Sequence, residues 1–459
     1  MSDYNDFKIL TGKETFTYVL AMIPQTILSG IFVLLYVNFF WDNLKLQQTY
    51  FIIGSIIFMV VNSLNDFFLG RLSDKTNVDR WGSRRLIYIK YGGPLWALVF
   101  FLTWFPWSYD NQIIIFIHFV VSICAFDMFL TLVILVWMAL LPELTENLAE
   151  RNKIQLLNQI FGTIGAIPVI FALFIFESNL QMFQIFAGVM ALISAVLYYI
   201  VGSKLHERPE LYKQEEVPGL ISSIKEAIKS RSFITYVSFN FFSYINMLLG
   251  FTFIFAFIYI FGFDILTASM LFILNGIIFG WLSSIIYITL AKKIEMQTLI
   301  IRGRLLTITI SIIGFLVVIQ PGADLLIWIF LALSTLAGGY NLFNYPYLML
   351  VTDEDEVKHG FRREGLFLGM NAFFIKFGDS IAAIIGTSVL IYFGFIRDAP
   401  KQPPEAIFGI KFLFFIVPAI MNICGLVCIY KFPLHGEYLK EMRTKLMDLH
   451  GKKTEAYRS

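Results

Sequence analysis

Long apolar runs alternate with short polar turns along almost the whole chain. A helix that spans a bilayer needs roughly 20 predominantly apolar residues at a rise of about 1.5 Å each. Runs of that kind lie near 16–41, 48–70, 86–107, 111–141, 154–176, 180–202, 233–262, 266–291, 297–320, 324–350, 365–396 and 407–432. The pattern predicts an all-α membrane protein with twelve transmembrane helices. The long internal polar stretch, 203–232, splits the spans six and six. The expected organisation is therefore an N-terminal six-helix bundle over 1–202, a linker over 203–232, a C-terminal six-helix bundle over 233–433 and a tail over 434–459. Within the linker, Pro218-Gly219 opens LISSIKEAIKS, whose apolar spacing suits a short amphipathic helix lying at the membrane surface.

Composition agrees with the pattern. Hydrophobic residues make up 58% of the chain and charged residues 15%, against about 25% charged in soluble globular domains. The net charge of +2 says little; the placement of Lys and Arg says more. They concentrate in the N-terminus, in the loops after spans two, four, six, eight and ten, and in the tail. By the positive-inside rule both termini are cytoplasmic, which an even number of spans requires. A multi-pass protein of the plasma membrane is expected, acting as a monomer, with the lipid bilayer as partner and no nucleic acid. Residues 1–15 lack an apolar segment with a cleavage site, so no signal peptide is expected and the first helix directs insertion. Cys124, Cys424 and Cys428 lie in apolar runs and read as small hydrophobes.

The halves are alike. LPELTENLAERNKI (141–154) follows the fourth span and LVTDEDEVKHGFRREG (350–365) the tenth, each with an acidic start and a basic finish, about 210 residues apart. Two pseudo-symmetric six-helix halves are a recurrent transporter plan, with the substrate held at the midplane between them.

Against this apolar background a few polar residues stand out. Asp66 lies inside the second span, with Asn62 one turn before it and Asn65 beside it. An ionisable group at that depth costs several kcal/mol unless it faces a cavity, a partner or an ion. Asp66 reads either as part of an ion site or as a structural partner of Lys376 or Lys90. Asp127 on the fourth span reads either as a site residue or as a group facing water near the helix end. Asp379 can pair with Lys376 along the helix, Lys90 can snorkel to the surface, and His118 reads as a satisfied helix histidine or a proton relay. In GGYNLFNYPYL (338–348), Pro346 and the Gly338-Gly339 pair predict a bend. That bend makes Tyr340, Asn341 and Asn344 candidates for lining a cavity, or is a kink needed only for packing. Trp137 is a candidate aromatic platform for a sugar ring, or packing.

Three segments, NDFFLGRLSDKTNVDRWGSRRL, LPELTENLAERNKI and DEDEVKHGFRREGLFLGMNAFFIKFGDS, resemble the glycoside-pentoside-hexuronide:cation symporters. These form the melibiose permease-like branch of the major facilitator superfamily. The resemblance implies that superfamily's fold, secondary active transport by alternating access, no enzymatic activity and no cofactor beyond a coupling Na⁺ or H⁺. The family's D-x-x-N-D pattern on the second span reads N-x-x-N-D here, so Asn65 and Asp66 match and Asn62 replaces a carboxylate. On the fourth span Thr131 matches, Ile134 replaces an Asp, and Asp127 one turn earlier is a substitute. The positions that grip sugar hydroxyls in melibiose-type members hold Thr26 and Gln159. Lys376 matches a family lysine near the cation site; buried in a bundle it needs a carboxylate partner, and a cation or proton is expected to compete with it for Asp66.

At the helix ends, Asp74, Arg80, Arg84, Arg85, Glu143 and Arg151 in the first half, and Asp353, Asp355, Arg362, Arg363 and Glu364 in the second, are expected to form a cytoplasmic gate. Its pairs are expected to be partly exposed and individually modest. The expected activity is symport of a small organic solute, sugar- or glycoside-like, with Na⁺ or H⁺. The alternatives are an uncoupled facilitator and a carrier of a lysolipid or organic anion.

Overall fold

A computed structural model describes residues 10–74, 76, 78–208, 220–248, 256, 258–263, 265–317, 324–396, 399 and 401–458; within these, the side chains of Asp66, Asp74 and Asp379 lie outside the description, as does the Pro218-Gly219 turn. The described secondary structure is helical. The chain divides into two compact units, one formed by 1–223, 355–370 and 446–459 and the other by 224–354 and 371–445.

In the first unit, α1 (Gly12–Val19) starts from a capping box in which the Thr11 side chain accepts from the Glu14 backbone while the Glu14 carboxylate takes the Thr11 N–H. It leads into α2 (Met22–Asn38), α3 (Gln48–Asp74), α4 (Gly93–Thr103), α5 (Gln112–Leu144), α6 (Leu148–Ser178) and α7 (Leu180–Lys204). Wider π turns extend α2 over Phe39–Asn43 and precede α4 over Tyr88–Gly92. Asn111, Asn147 and Asn179 cap α5, α6 and α7 through their side-chain oxygens. Helix α2 packs on α6, α3 on α5, and α4 on α7. Two glycines set how close these helices come. A Cβ on Gly165 would lie 2.7 Å from the Ile23 carbonyl oxygen on α2, and one on Gly202 would lie 2.5 Å from the backbone nitrogen of Lys90. Between the helices sits an aromatic core: Phe32 stacks on Phe126 and meets Trp104 edge-on, and Phe39, Phe100 and Phe183 close around the same indole.

The linker forms α8 (Leu220–Lys229), with Ser223 and Ala227 buried, Ile224 half-buried, and Lys225, Glu226 and Ile228 exposed. The second unit holds α9 (Arg231–Leu248), α10 (Ile265–Ala291), α11 (Met296–Val317) and α12 (Asp324–Ala337). A 3₁₀ segment, Gly338–Phe343, joins α12 to α13 (Asn344–His359). Beyond lie α14 (Glu364–Tyr392), α15 (Pro404–Lys411), α16 (Val417–Tyr430) and α17 (Gly436–Arg458). Helix α10 packs on α12, and α11 on α16. These pairings repeat those of α3 with α5 and α4 with α7, so the likeness between the halves extends from sequence to packing. The bend predicted in the tenth span is the 3₁₀ segment. Its departure from α-helical bonding frees carbonyl groups, which side chains of α10 take up: Ser283 donates to the Leu336 oxygen and Tyr287 to the Ala337 oxygen.

Among the described residues, eight helical stretches are long and apolar enough to cross a membrane. The exposed positions of these helices carry many neighbouring Ile, Leu, Val and Phe side chains, as contact with lipid demands.

Candidate functional site

Polar groups gather at three places. On α3 and α5, the Asn65 side-chain amide donates to the Asp127 carboxylate, joining the two helices. Asn62 and Asp127 are half-buried, whereas Asn65 and Thr131 are buried. Thr131 follows Asp127 by one turn, and Asn62 precedes Asp66 by one turn, so α3 and α5 each carry two polar positions on one face. Four described oxygen-bearing side chains, Asn62, Asn65, Asp127 and Thr131, thus belong to one helix pair, and Asp66 follows Asn65 in the chain. Amide, carboxylate and hydroxyl oxygens are the donors a hard monovalent cation requires. Lys376 is half-buried on α14.

The sequence candidates for a solute cavity fall in different surroundings. Thr26 donates to the Met22 carbonyl and packs against Gly162 and Gly165 of α6. Gln159 on α6 is exposed. Trp137 stacks on Tyr18, and the two exchange hydrogen bonds: the Trp137 indole N–H donates to the Tyr18 carbonyl at 3.0 Å, and the Tyr18 hydroxyl to the Trp137 carbonyl at 3.3 Å. Asn344 is half-buried, and its side-chain oxygen has no hydrogen-bond partner among the described residues.

Tyr340 belongs to a polar cluster inside the second unit, centred on Arg304 of α11. Arg304 is 1% exposed. Its guanidinium donates to Asn422 of α16 at 3.1 Å and to Ser243 of α9, and lies over the rings of Phe239 and Tyr340. Tyr340 donates to the same Asn422 oxygen at 2.7 Å. Gly425 leaves the space that the guanidinium fills. The signal for this cluster was an arginine inside the apolar run 297–320, a costly placement that marks a site by default.

The third place is a buried charge network within the first unit. Arg85 pairs with Glu143 at the end of α5 at 2.6 Å and with Glu364 at 2.8 Å. Arg84 stands 4.0 Å from Glu364 and donates to the Arg362 carbonyl. Arg362 pairs with Glu364 and, at 2.9 Å, with Glu356; Arg363 grips Asp355 through two bonds of 2.6 and 2.8 Å. The backbone N–H groups of Arg84, Arg85 and Leu86 all donate to the Glu207 carboxylate, which satisfies the open donors of a helix start. Arg151 closes the turn between α5 and α6 by donating to the Thr145 and Pro142 carbonyls. Arg80, by contrast, is exposed and lies over Trp81, and Asp353 is buried.

The expectation of partly exposed, individually modest pairs does not hold. The side chains of Arg85 and Glu143 are 0% exposed and that of Glu364 is 2% exposed. Removing one member of such a pair leaves an uncompensated buried charge, at a cost of about 3–5 kcal/mol. Counting charges in loops presumed solvent around them, but here the segment 355–370 folds into the same compact unit as the α3–α4 and α5–α6 turns.

Four likenesses to known proteins bear on this architecture. Residues 17–436 match the family described as MFS/sugar transport protein. Transmembrane protein 180 of Gallus gallus is 26% identical over 482 aligned positions, which cover 92% of this chain and 93% of the relative. The isoprimeverose transporter of Lactiplantibacillus pentosus is 23% identical and covers 89% of this chain and 86% of the relative. In fold, the chain is similar to the E. coli fucose:proton symporter with a TM-score of 0.63 at 12% identity, over 91% of this chain and 98% of that one. Matched to that family over residues 17–436, the chain belongs to the MFS/sugar transport family, in its melibiose permease-like branch, and is a multi-pass membrane transporter.

Proposed function

We propose that the protein is a secondary active transporter that moves a small sugar- or glycoside-like solute together with Na⁺ or H⁺ by alternating access. It would do so as a monomer in the plasma membrane with both termini cytoplasmic. The observation that carries this reading is the Asn65–Asp127 contact between α3 and α5. The branch's cation pattern has lost a carboxylate at Asn62, and Asp127 brings one back to the same helix pair. Asp66 and Asp127 supply charge, and Asn62 and Thr131 supply neutral oxygens. In this account Lys376 competes with the cation for Asp66, so ion occupancy biases the conformational equilibrium through differential affinity.

The test is uptake of labelled mono- and disaccharides by proteoliposomes under an imposed Na⁺ or proton gradient. Accumulation above the equilibrium level, collapsing when an ionophore removes the gradient and absent in Asp127→Asn, is expected. Uptake that only equilibrates makes the protein an uncoupled facilitator.

A second reading, a carrier of a non-sugar solute such as a lysolipid or organic anion, draws support from Thr26. Its hydroxyl is spent on the Met22 carbonyl. Neither it nor Gln159 makes the charge-assisted bonds that strengthen hydroxyl recognition. Saturable uptake of a lysolipid with none of any saccharide would favour it.

A further inference from the structure

His450, on the C-terminal helix α17, stands between two carboxylates from distant parts of the sequence. Its Nδ1 lies 2.9 Å from Glu146, in the turn between α5 and α6, and its Nε2 lies 3.1 Å from Glu356 near the end of α13. Glu146 and Glu356 are 210 positions apart, the spacing that also relates Glu143 to Asp353, so His450 joins equivalent acids of the two sequence halves. We propose that α17 is a proton-operated latch, in which protonated His450 ties Glu146 to Glu356 and the neutral imidazole lets the end of the helix go.

A carboxylate faces each ring nitrogen of His450. A neutral imidazole has one N–H and one lone pair, so one of two facing carboxylates would meet a lone pair; only the imidazolium donates to both. The other charged groups around it come from every neighbouring segment. Arg208, in the segment after α7, pairs with Glu146 at 2.6 Å. Lys453, one turn along α17, pairs with Glu356 at 2.8 Å, and Arg362 pairs with Glu356 and stands 3.3 Å from His450 Nε2. Burial presses His450 to shed its proton, and Arg362 adds to that pressure. The bonds to Glu146 and Glu356 outweigh both and hold its pKa above the ordinary 6.5. Burial pushes Glu146 up, but its bond to His450 and the charge of Arg208 more than offset this and leave it at about 2, ionised throughout.

The sign follows. The docked helix binds the proton more tightly than the free one, so the tie is complete below about pH 6.5 and is lost as pH rises through the raised value. Across that window the detachment constant climbs by up to about tenfold per pH unit, the limit for one linked proton. Any movement that carries Glu356 away from Glu146 must break the bridge first. Its meaning for transport therefore rests on the alternating-access reading, while the latch itself does not.

Hydrogen exchange of the full-length protein in nanodiscs, read on peptides from α17 and corrected for intrinsic rates, tests the latch without any solute. Between about pH 6 and about pH 9, protection of 446–458 should fall by up to about tenfold per pH unit once above about 6.5, while peptides of α5 and α6 stay constant. In His450→Gln, which hydrogen-bonds but does not titrate, tail protection should be independent of pH. In Glu146→Gln the loss should move to lower pH. Tail protection in the wild type that does not change with pH, or a His450→Gln tail that follows the wild-type curve, overturns the proposal. If His450→Gln does not fold, an unshifted Glu146→Gln curve overturns it equally. Failure of saccharide transport in the preceding experiment would leave these outcomes untouched.

Discussion

Arg304 shows how one side chain can organise a bundle interior. It donates to Asn422 and Ser243 and lies over two aromatic rings, and among the described residues no carboxylate shares an ion pair with it. Its charge is balanced by neutral oxygens and ring faces, a solution that a planar guanidinium meets and an ammonium does not. Arg304→Lys should therefore lower the melting temperature nearly as far as Arg304→Met. In a double-mutant cycle with Asn422→Ala the coupling should fall within about 0.5–3 kcal/mol. Full rescue by lysine would show that charge alone matters there. At Arg85, the buried pairs to Glu143 and Glu364 predict that Arg85→Ala costs about 3–5 kcal/mol, and that Arg85→Ala with Glu143→Ala costs less than the two single changes summed. Thermal denaturation in detergent checks both. Neither Arg304 nor the burial of Arg85 was read from the sequence. In the sequence, arginines read as loop charges that set orientation or close a cytoplasmic gate, and such a reading is blind to an arginine that packs inside a bundle.

At the scale of elements, the spans were legible because the bilayer imposes a length and a polarity that composition reveals directly. The amphipathic helix Leu220–Lys229 and the interruption at Gly338–Phe343 were legible for the same kind of reason, since each has a local signal in apolar spacing or in Gly and Pro. What local signals could not give is how close two helices come. Gly165 is one small residue among many in the sequence, yet it lies against the Ile23 carbonyl. Gly165→Val should force α2 and α6 apart and cost about 1–3 kcal/mol, the usual range for overpacking. Gly276, with open space around its Cβ position, is the control that should tolerate alanine with no steric penalty. Equal destabilisation at both glycines would argue for a general loss of helix flexibility instead. The partners of α17 were hidden for a different reason: His450 meets residues 304 and 94 positions away, and no periodicity in the tail encodes a contact at such range.

For the whole molecule, the repeat seen at 141–154 and 350–365 predicted like halves, and two helix pairings of the first unit, α3 with α5 and α4 with α7, recur in the second as α10 with α12 and α11 with α16. The repeat extends to function unevenly. The first half carries the Asn65–Asp127 pair, the second the Arg304 cluster, so the polar interiors of the two halves are chemically different although their packing is alike. The most direct measurement is the melting temperature of the purified protein in Na⁺ against choline at two pH values, for the wild type and Asp127→Asn. A ligand that binds the native state stabilises it by about 2.7 kcal/mol at 100 times its Kd. The account predicts an upward shift, specific to Na⁺ or set by pH, that Asp127→Asn abolishes. A melting temperature indifferent to Na⁺ and to pH, or a shift that survives Asp127→Asn unchanged, would contradict it.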